Sequence, residues 1–401
     1  MVNVPQNPDP AGRPLRVLLC PDQPDWAFDN IARNIRRYAP AHLSIAIHYM
    51  GRPGTRDLAQ IYERIVVENI DVLHLFWRED LFALLRPETL IDAAGKLGVT
   101  PPDIVDMIGG CALTTSVYDH LHLSEDALAE RSSVYHQIDG YSVCSKRLHD
   151  IYVSLPGIPD PDALITDGVD VDHFTPGGAG ARREPGQAIR IGWVGNSRWG
   201  ESVGGDPKGF HRLLQPAIAV LKDRGWQVEL ALADPQVKRI PFAEMPQFYR
   251  SIDLLACTSA AEGTPNPVLE AMAMGLPVVS TDVGIVPEVF GPRQSAFIVR
   301  DHDPASFADA IEKLNKHPET AAQIGQENRQ AVMAWSWRDV TAPWWPFWQM
   351  AHRRCTEERL AARRRESLKQ ACTAHANYLA ATSKRENAVT RLLDRLKQDG
   401  G

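Results

Sequence analysis

Long apolar runs are missing from this chain. No stretch approaches the ~20 apolar residues that a membrane-spanning helix requires. The opening segment MVNVPQNPDPAGRP has no apolar core of the kind a secretory leader carries. Cysteine is sparse: Cys20, Cys111, Cys144, Cys257, Cys355 and Cys372 include no C-x-x-C pair, which argues against a zinc knuckle or a dithiol redox centre. Four of the six fall in or beside strand-like runs and read as small core residues in a reducing compartment. Positive charge is short as well, since the formal net charge is −7, a poor balance for a general nucleic-acid binder. The localisation these absences suggest is cytoplasmic, with contact to the inner membrane surface at most peripheral. What remains is a globular composition, 44% hydrophobic and 23% charged over 401 residues, enough for two domains of ordinary size.

Short apolar runs recur at intervals that suit strands separated by helices. In the first half they occupy 16–20, 43–49, 72–75, 111–116, 141–144 and 163–165, with helical spacing at 26–38, 58–68 and 146–152. In the second half they occupy 188–194, 228–232, 254–257, 278–280 and 296–299, with helices at 245–252 and 304–314. Alternation of this kind builds parallel sheets through right-handed crossovers. A polar, glycine-rich stretch at 177–186 (GGAGARREPG) separates the two series. The expected fold class is α/β. A Rossmann-like domain spans 1–176, a linker 177–187, a second Rossmann-like domain 188–340, and a helical extension 341–401.

The most informative stretch is 259–288, SAAEGTPNPVLEAMAMGLPVVSTDVGIVPE. A strand runs out into a Gly/Pro turn. A short helix follows, with Asn266 as its expected N-cap and Pro267 at the first helical position. Gly275-Leu276-Pro277 ends that helix, and a second strand leads to a loop at 282–284. Strand ends and a helix start converging in this way mark the ligand edge of an open parallel sheet, and free amides at the helix start suit phosphate or sugar oxygens. Two carboxylates, Glu262 and Glu270, stand in the stretch with seven residues between them. Glu270 falls one place past the capping-box position, so capping does not account for it. A carboxylate there suits a vicinal diol such as a ribose. Taken singly, Glu262 reads equally well as a solvated loop residue, and Glu270 as a charge that favours the helix dipole. The combination is the specific signal.

The run Glu262-Gly263, Pro267, Leu269-Glu270-Ala271-Met272-Ala273, Gly275 and Pro277-Val278-Val279 resembles the signature of the retaining GT-B glycosyltransferases of family four (glycosyl transferases group 1). The resemblance extends over roughly 15–348 and implies two domains facing a cleft, no metal and no cofactor. The donor would be a nucleotide diphosphate sugar carrying UDP or GDP. It implies that Glu262 contacts the transferred sugar and Glu270 the nucleotide ribose. Gly263, Thr264, Pro265, Asn266 and Pro267 would lie against the sugar and diphosphate. Gly284-Ile285 stands where the family often has two glycines, so Gly284 is the remaining phosphate-loop candidate. Lys208-Gly209 matches the family's Lys-Gly pair, and Arg198 is the best match for its arginine, in a loop that opens with Gly195 and Asn196. Those cations would neutralise the departing diphosphate; otherwise they read as solvated loop residues.

The segment 114–120 resembles a strand end at which the family carries a catalytic histidine. Here Tyr118 takes that place, Asp119 follows it, and His120 comes two residues later as a substitute, or else as a surface histidine with no task. The segment 167–176 resembles the end of the family's first domain, with Asp167 in place of Asn and the pair Asp170/Asp172 at the hinge. The loop 21–25 replaces the family's first glycine turn, which leaves Asp22, Asp25 and Trp26 as acceptor candidates. Five of the ten tryptophans fall between 335 and 348, expected on the first domain, with a membrane-facing patch as the alternative. From 351 onward twelve basic residues meet six acidic ones, expected as a solvated helix or as a surface for self-association, membrane contact or another acidic surface. The expected activity is retaining transfer of a sugar to a hydroxyl acceptor: a saccharide, a lipid-linked sugar, a small metabolite or a modified nucleic acid. The alternatives are an epimerase or phosphorylase of the same fold, or a non-catalytic nucleotide-sugar-binding scaffold.

Overall fold

The computed structural model describes residues 13–51, 56–121, 123–177, 187–199 and 205–398, without the side chains of 358–361 and 383–398. The first sheet holds β1 (Leu15–Cys20), β2 (Leu43–Ile47), β3 (Val72–Leu75), β4 (Ala112–Val117), β5 (Gly140–Val143) and β6 (Ala163–Leu164), in the order β2-β1-β3-β4-β5-β6. The second holds β7 (Ile189–Val194), β8 (Val228–Ala233), β9 (Leu254–Cys257), β10 (Val278–Thr281) and β11 (Ile298–Val299), in the order β11-β10-β9-β7-β8. All pairings are parallel. The strands read as unbroken apolar runs because helices cover both faces of each sheet; β3, β4, β5, β9 and β10 are buried at every position. Each order turns back at the sheet's first strand, where β1 lies between β2 and β3 and β7 between β8 and β9. That reversal opens a crevice at the carboxyl ends of the strands.

The sequence pattern left 76–110 and 119–140 without elements, and four helices fill them: Arg78–Leu84, Pro87–Leu97, Pro101–Gly109 and Glu125–Tyr135. One start was legible, since Thr100 and Asp103 form a reciprocal capping box ahead of two prolines. All six cysteines are free thiols in buried positions, as a core role requires. Among the described residues, no helix is long and apolar enough to cross a membrane.

The two sheets meet through their carboxyl ends. The Tyr118 carbonyl, just past β4, and the Cys144 thiol, just past β5, both press on Gly263 in the loop after β9. The Lys146 amide donates to Glu288 at 2.8 Å, and Arg147 donates to the carboxylate and carbonyl of Asp282. At the hinge, Arg329 donates to the carbonyls of Val171, Phe174 and Ala273, fastening the 167–176 crossing to the helix Asn266–Ala273. Asp170 accepts from Arg37 and from the amides of Asp172 and His173, so it shapes a turn.

After the second domain the chain returns to the first. A single bridge joins Val169 to Ser336, and the helix Trp344–Thr356 lays Trp344, Phe347, Trp348 and Cys355 onto β1, β3 and β4 together with Trp337. Three of the five clustered indoles, Trp337, Trp344 and Trp348, are at most 2% exposed. This corrects the membrane-patch alternative, because those rings are spent on the first domain's core. At its centre His74 is fully buried, bonded to Thr114 and Ser116 and set edge-on to Trp344; burial drives its pKa down to about 3.

The last helix, Glu358–Gln398, corrects the solvated-helix expectation over its first half. Leu368 and Cys372 are buried against the helices Pro87–Leu97 and Pro101–Gly109. Arg364 forms a buried pair with Asp139, Arg354 pairs with Asp162, and Lys369 with Asp106. The acidic surface that part of the basic tail meets is its own first domain.

Candidate active site

The site is built on the loop after β9. Ser259 and Lys208 both hold one oxygen of Glu262, the serine hydroxyl at 2.8 Å and the ammonium in a short ion pair. Lys208 arrives from the loop after β7, and several contacts fix its place. Its carbonyl accepts from the Thr258 hydroxyl at 2.8 Å, which itself accepts from Trp193 Nε1 at 3.1 Å. Gly209 has φ 68°, and a Cβ there would lie 2.0 Å from the Thr258 carbonyl oxygen. Only glycine permits both the turn and the approach. Asp206 then accepts from the amides of Phe210, His211 and Arg212, capping the next helix. Lys208 Nζ also lies 5.6 Å from the centre of the Trp199 ring.

The helix Asn266–Ala273 begins one residue earlier than the sequence pattern suggests. Pro265 occupies the cap position, and Asn266 caps nothing; its side-chain oxygen is buried without a partner. Thr264 Oγ1 is also buried, beside Asp167 and Cys144 but without a hydrogen bond of sound geometry to either. Buried polar atoms without partners are rare in folded proteins. Two of them, side by side at a helix start that opens on the interdomain seam, fit a polar ligand. Gly263 is too closely packed for any side chain: a Cβ would meet Cys144 Sγ at 2.2 Å and the Tyr118 carbonyl at 2.6 Å.

Glu270 is half-buried and accepts from the Tyr249 hydroxyl at 2.6 Å. Burial raises its pKa to about 7, and the Tyr249 bond offsets part of that rise. Asp167, 3% exposed at the hinge, is likewise pushed to about 7 by burial. Gly284 has φ 47° and packs on the loop after β9, a Cβ there falling 2.0 Å from the Gly263 carbonyl oxygen. The next amide, that of Ile285, donates to that carbonyl at 3.0 Å. Gly284 therefore locks loop to loop.

The remaining candidates are less tightly joined to this centre. Asn196 closes a turn by accepting from the Arg198 amide at 3.1 Å, and Gly195 follows β7 with its amide on the Ala233 carbonyl. Arg198 is exposed in that turn. Of the two expected cations, Lys208 is the one the fold joins to Glu262. Residues 200–204 of the same loop lie outside the described residues. Asp119 is committed to Arg78 and to the Leu121 amide. Tyr118 packs against Phe28 with ring centres 5.0 Å apart. His120 is half-buried, with Nδ1 shielded and unbonded.

Sequence reasoning missed Tyr249, Ser259 and Thr258, which set the two glutamates and the lysine. The Tyr249–Glu270 contact spans 21 positions, so no local pattern reports it. Asp206, three residues ahead of a glycine-started helix, carried a legible capping signal.

Two parallel-sheet domains meeting through their strand ends, with a Gly/Pro loop bearing Glu262 at the seam, have the architecture of the GT-B glycosyltransferases. Residues 227–331, within the second domain, match the family described as glycosyl transferases group 1. A D-inositol 3-phosphate glycosyltransferase of Corynebacterium jeikeium is 30% identical over 210 residues, 44% of this chain and 48% of that protein. The chain thus spans about half the length of the curated relatives it matches. Among solved structures, sucrose-phosphate synthase of Thermosynechococcus elongatus superposes with a TM-score of 0.59 at 15% identity, over 83% of this chain and 98% of that one. Anabaena Alr3699/HepE in complex with UDP and glucose gives 0.57 at 14%, over 83% and 98%. Those two likenesses establish the fold.

Proposed function

We propose that the protein transfers a sugar from a UDP- or GDP-sugar to a hydroxyl acceptor, with retention of anomeric configuration. The observation that carries this reading is the Lys208–Glu262 pair at the seam, with Glu270 one helix turn beyond the unpartnered Thr264 and Asn266 atoms. The likeness to a structure holding UDP and glucose supports the donor class. In this reading Glu270 accepts hydrogen bonds from the ribose diol. Glu262, Thr264 and Asn266 take the sugar hydroxyls, and the Gly263–Pro265 backbone lines the sugar.

Breaking the bond between the sugar and the diphosphate leaves negative charge on the departing oxygen. Lys208, already fixed by the Gly209 turn, meets that charge with little rearrangement, and Arg198 adds to it from the neighbouring turn. Preorganised charge of this kind is worth about 10² to 10³ in rate per group removed. Neither Glu262 nor Glu270 stands free as a nucleophile. Glu262 is engaged by Lys208 and Ser259, and Glu270 by Tyr249. Retention then follows from attack on the face the diphosphate leaves, with the departing phosphate oxygen taking the acceptor's proton.

The deciding experiment pairs calorimetry against UDP and GDP with transfer assays on Lys208→Ala and Glu262→Gln. Nucleotide binding by the wild type, with both variants slowed about 100-fold or more, supports the reading. Wild-type rates in both variants, or no nucleotide binding at all, would overturn it.

A further inference from the structure

The transfer reading leaves one buried carboxyl without a task. Asp167 follows β6 where the chain crosses from the first domain to the second, and it is 3% exposed. Its backbone is held fast. The Val169 amide donates to the Trp335 carbonyl at 3.0 Å, the Trp337 amide donates to the Val169 carbonyl at 3.3 Å, and a Cβ on Gly168 would lie 2.7 Å from Val340. Both domains enclose the side chain: Tyr118 and Cys144 approach it from strand ends of the first, and Thr264 from the loop after β9 in the second. The phenol and the thiol are pushed well up, by burial first and by the Asp167 charge next, so both stay neutral past pH 7. Charged groups on the adjoining elements have other partners. Glu262 pairs with Lys208, Asp119 with Arg78 and Asp170 with Arg37, while Asp339 accepts from the Ser336 hydroxyl. Arg338 is exposed, and His120 stands one residue past Asp119.

A carboxylate formed inside this enclosure loses its hydration, and a phenol, a thiol and a hydroxyl replace it only in part. Burial accordingly raises the Asp167 pKa to about 7. Relief comes from keeping the proton or from letting water in. The pinned 167–169 backbone keeps the carboxyl from swinging out, so water arrives through the seam between the domains. The wall that yields there is 263–264. The Gly263 backbone sits hard against Cys144 and Tyr118, a packed contact that is either made or broken. Glu262 and the start of the 266–273 helix belong to the same loop and go with it.

We infer that Asp167 is a positioning residue for the transfer site: in its acid form it lets the 262–266 loop seat against the first domain, and on losing its proton it drives that loop away. The inference rests on the glycosyltransferase reading for a rate readout and on the fold alone for a shape readout. In the first, turnover of UDP-glucose and GDP-mannose by the full-length protein is followed from pH 6 to 9. Wild-type kcat should fall about tenfold or more across that range, while Asp167→Asn, neutral throughout, falls less than threefold. The comparison isolates Asp167, since the variant keeps His120, Glu270 and every other titrating group. Glu270 acts in the opposite sense, because on the ribose assignment its ionisation tightens donor binding and shows in KM. In the second readout, small-angle X-ray scattering of the ligand-free protein should show a radius of gyration that grows from pH 6 to 9 in the wild type and stays constant in Asp167→Asn. A flat wild-type kcat, a parallel fall in the variant, or a wild-type radius of gyration unmoved by pH each overturns the inference and leaves the donor site standing. If neither donor is turned over and neither UDP nor GDP binds, the glycosyltransferase reading falls instead, and scattering alone decides the role of Asp167.

Discussion

At the scale of the residue, two carboxyls are held in surroundings that favour their neutral forms. Burial pushes the pKa of Glu270 and that of Asp167 up to about 7, well above the ordinary carboxylate range. Each folded-state pKa lies above its unfolded value, so the stability each group contributes is complete below the unfolded value. It is lost as pH rises through about 7. Asp167→Asn and Glu270→Gln should therefore gain stability over the wild type at pH 8, with the gain shrinking toward pH 5; thermal melts at the two pH values check this. The substitutions should part company in function. In the proposed reading Glu270→Gln, which loses the carboxylate assigned to the ribose, should weaken nucleotide affinity, whereas Asp167→Asn should leave it intact. A melting difference that stays flat with pH would contradict the burial assigned to these groups.

At the scale of the element, the strands, the two glutamates and the Lys-Gly turn were legible because each is a local pattern. Alternating apolar runs give parallel strands, and a left-handed turn before a helix start calls for glycine. The start of the 266–273 helix was misread by one residue. Pro265 takes the cap position, and the Asn266 side-chain oxygen is left without a partner. Gly284 looked like a phosphate-loop residue, yet its neighbour in space is the Gly263 carbonyl, a contact between loops that no spacing reveals. The same geometry gives a prediction. Gly263→Ala places a methyl group against Cys144 and the Tyr118 carbonyl, and overpacking of this kind costs about 1–3 kcal/mol. The donor loop should draw away from the first domain, with transfer falling more steeply than nucleotide affinity. Equal kcat in variant and wild type would show that the contact is dispensable.

At the scale of the molecule, the tail was the least legible part. Its basic excess reads as a solvated or docking helix, and composition does not say that the dock is internal. Arg364 and Asp139 are 4% and 7% exposed at their side chains, and Asp139 also accepts from the Leu113 amide at the start of β4. Removing one member of a buried pair strands the other, at a cost of about 3–5 kcal/mol. Arg364→Ala should lower the melting temperature well beyond Lys369→Ala, whose pair with Asp106 is exposed and contributes about 0–1 kcal/mol. Arg364→Met, which keeps the stem but not the charge, should behave like the alanine variant if the stranded Asp139 charge is the cause. A melt close to wild type for Arg364→Met would assign the effect to packing.

The return of residues 337–355 to the first sheet also bears on how the polypeptide matures. β1, β3 and β4 emerge from the ribosome roughly 220 residues or more before the indoles that cover them. Until synthesis is nearly finished, the leading lobe carries a bare aliphatic flank, a site for chaperones or for mispairing with a neighbouring nascent chain. A message truncated between codons 300 and 336 should yield an insoluble product even though every strand of both sheets has been made.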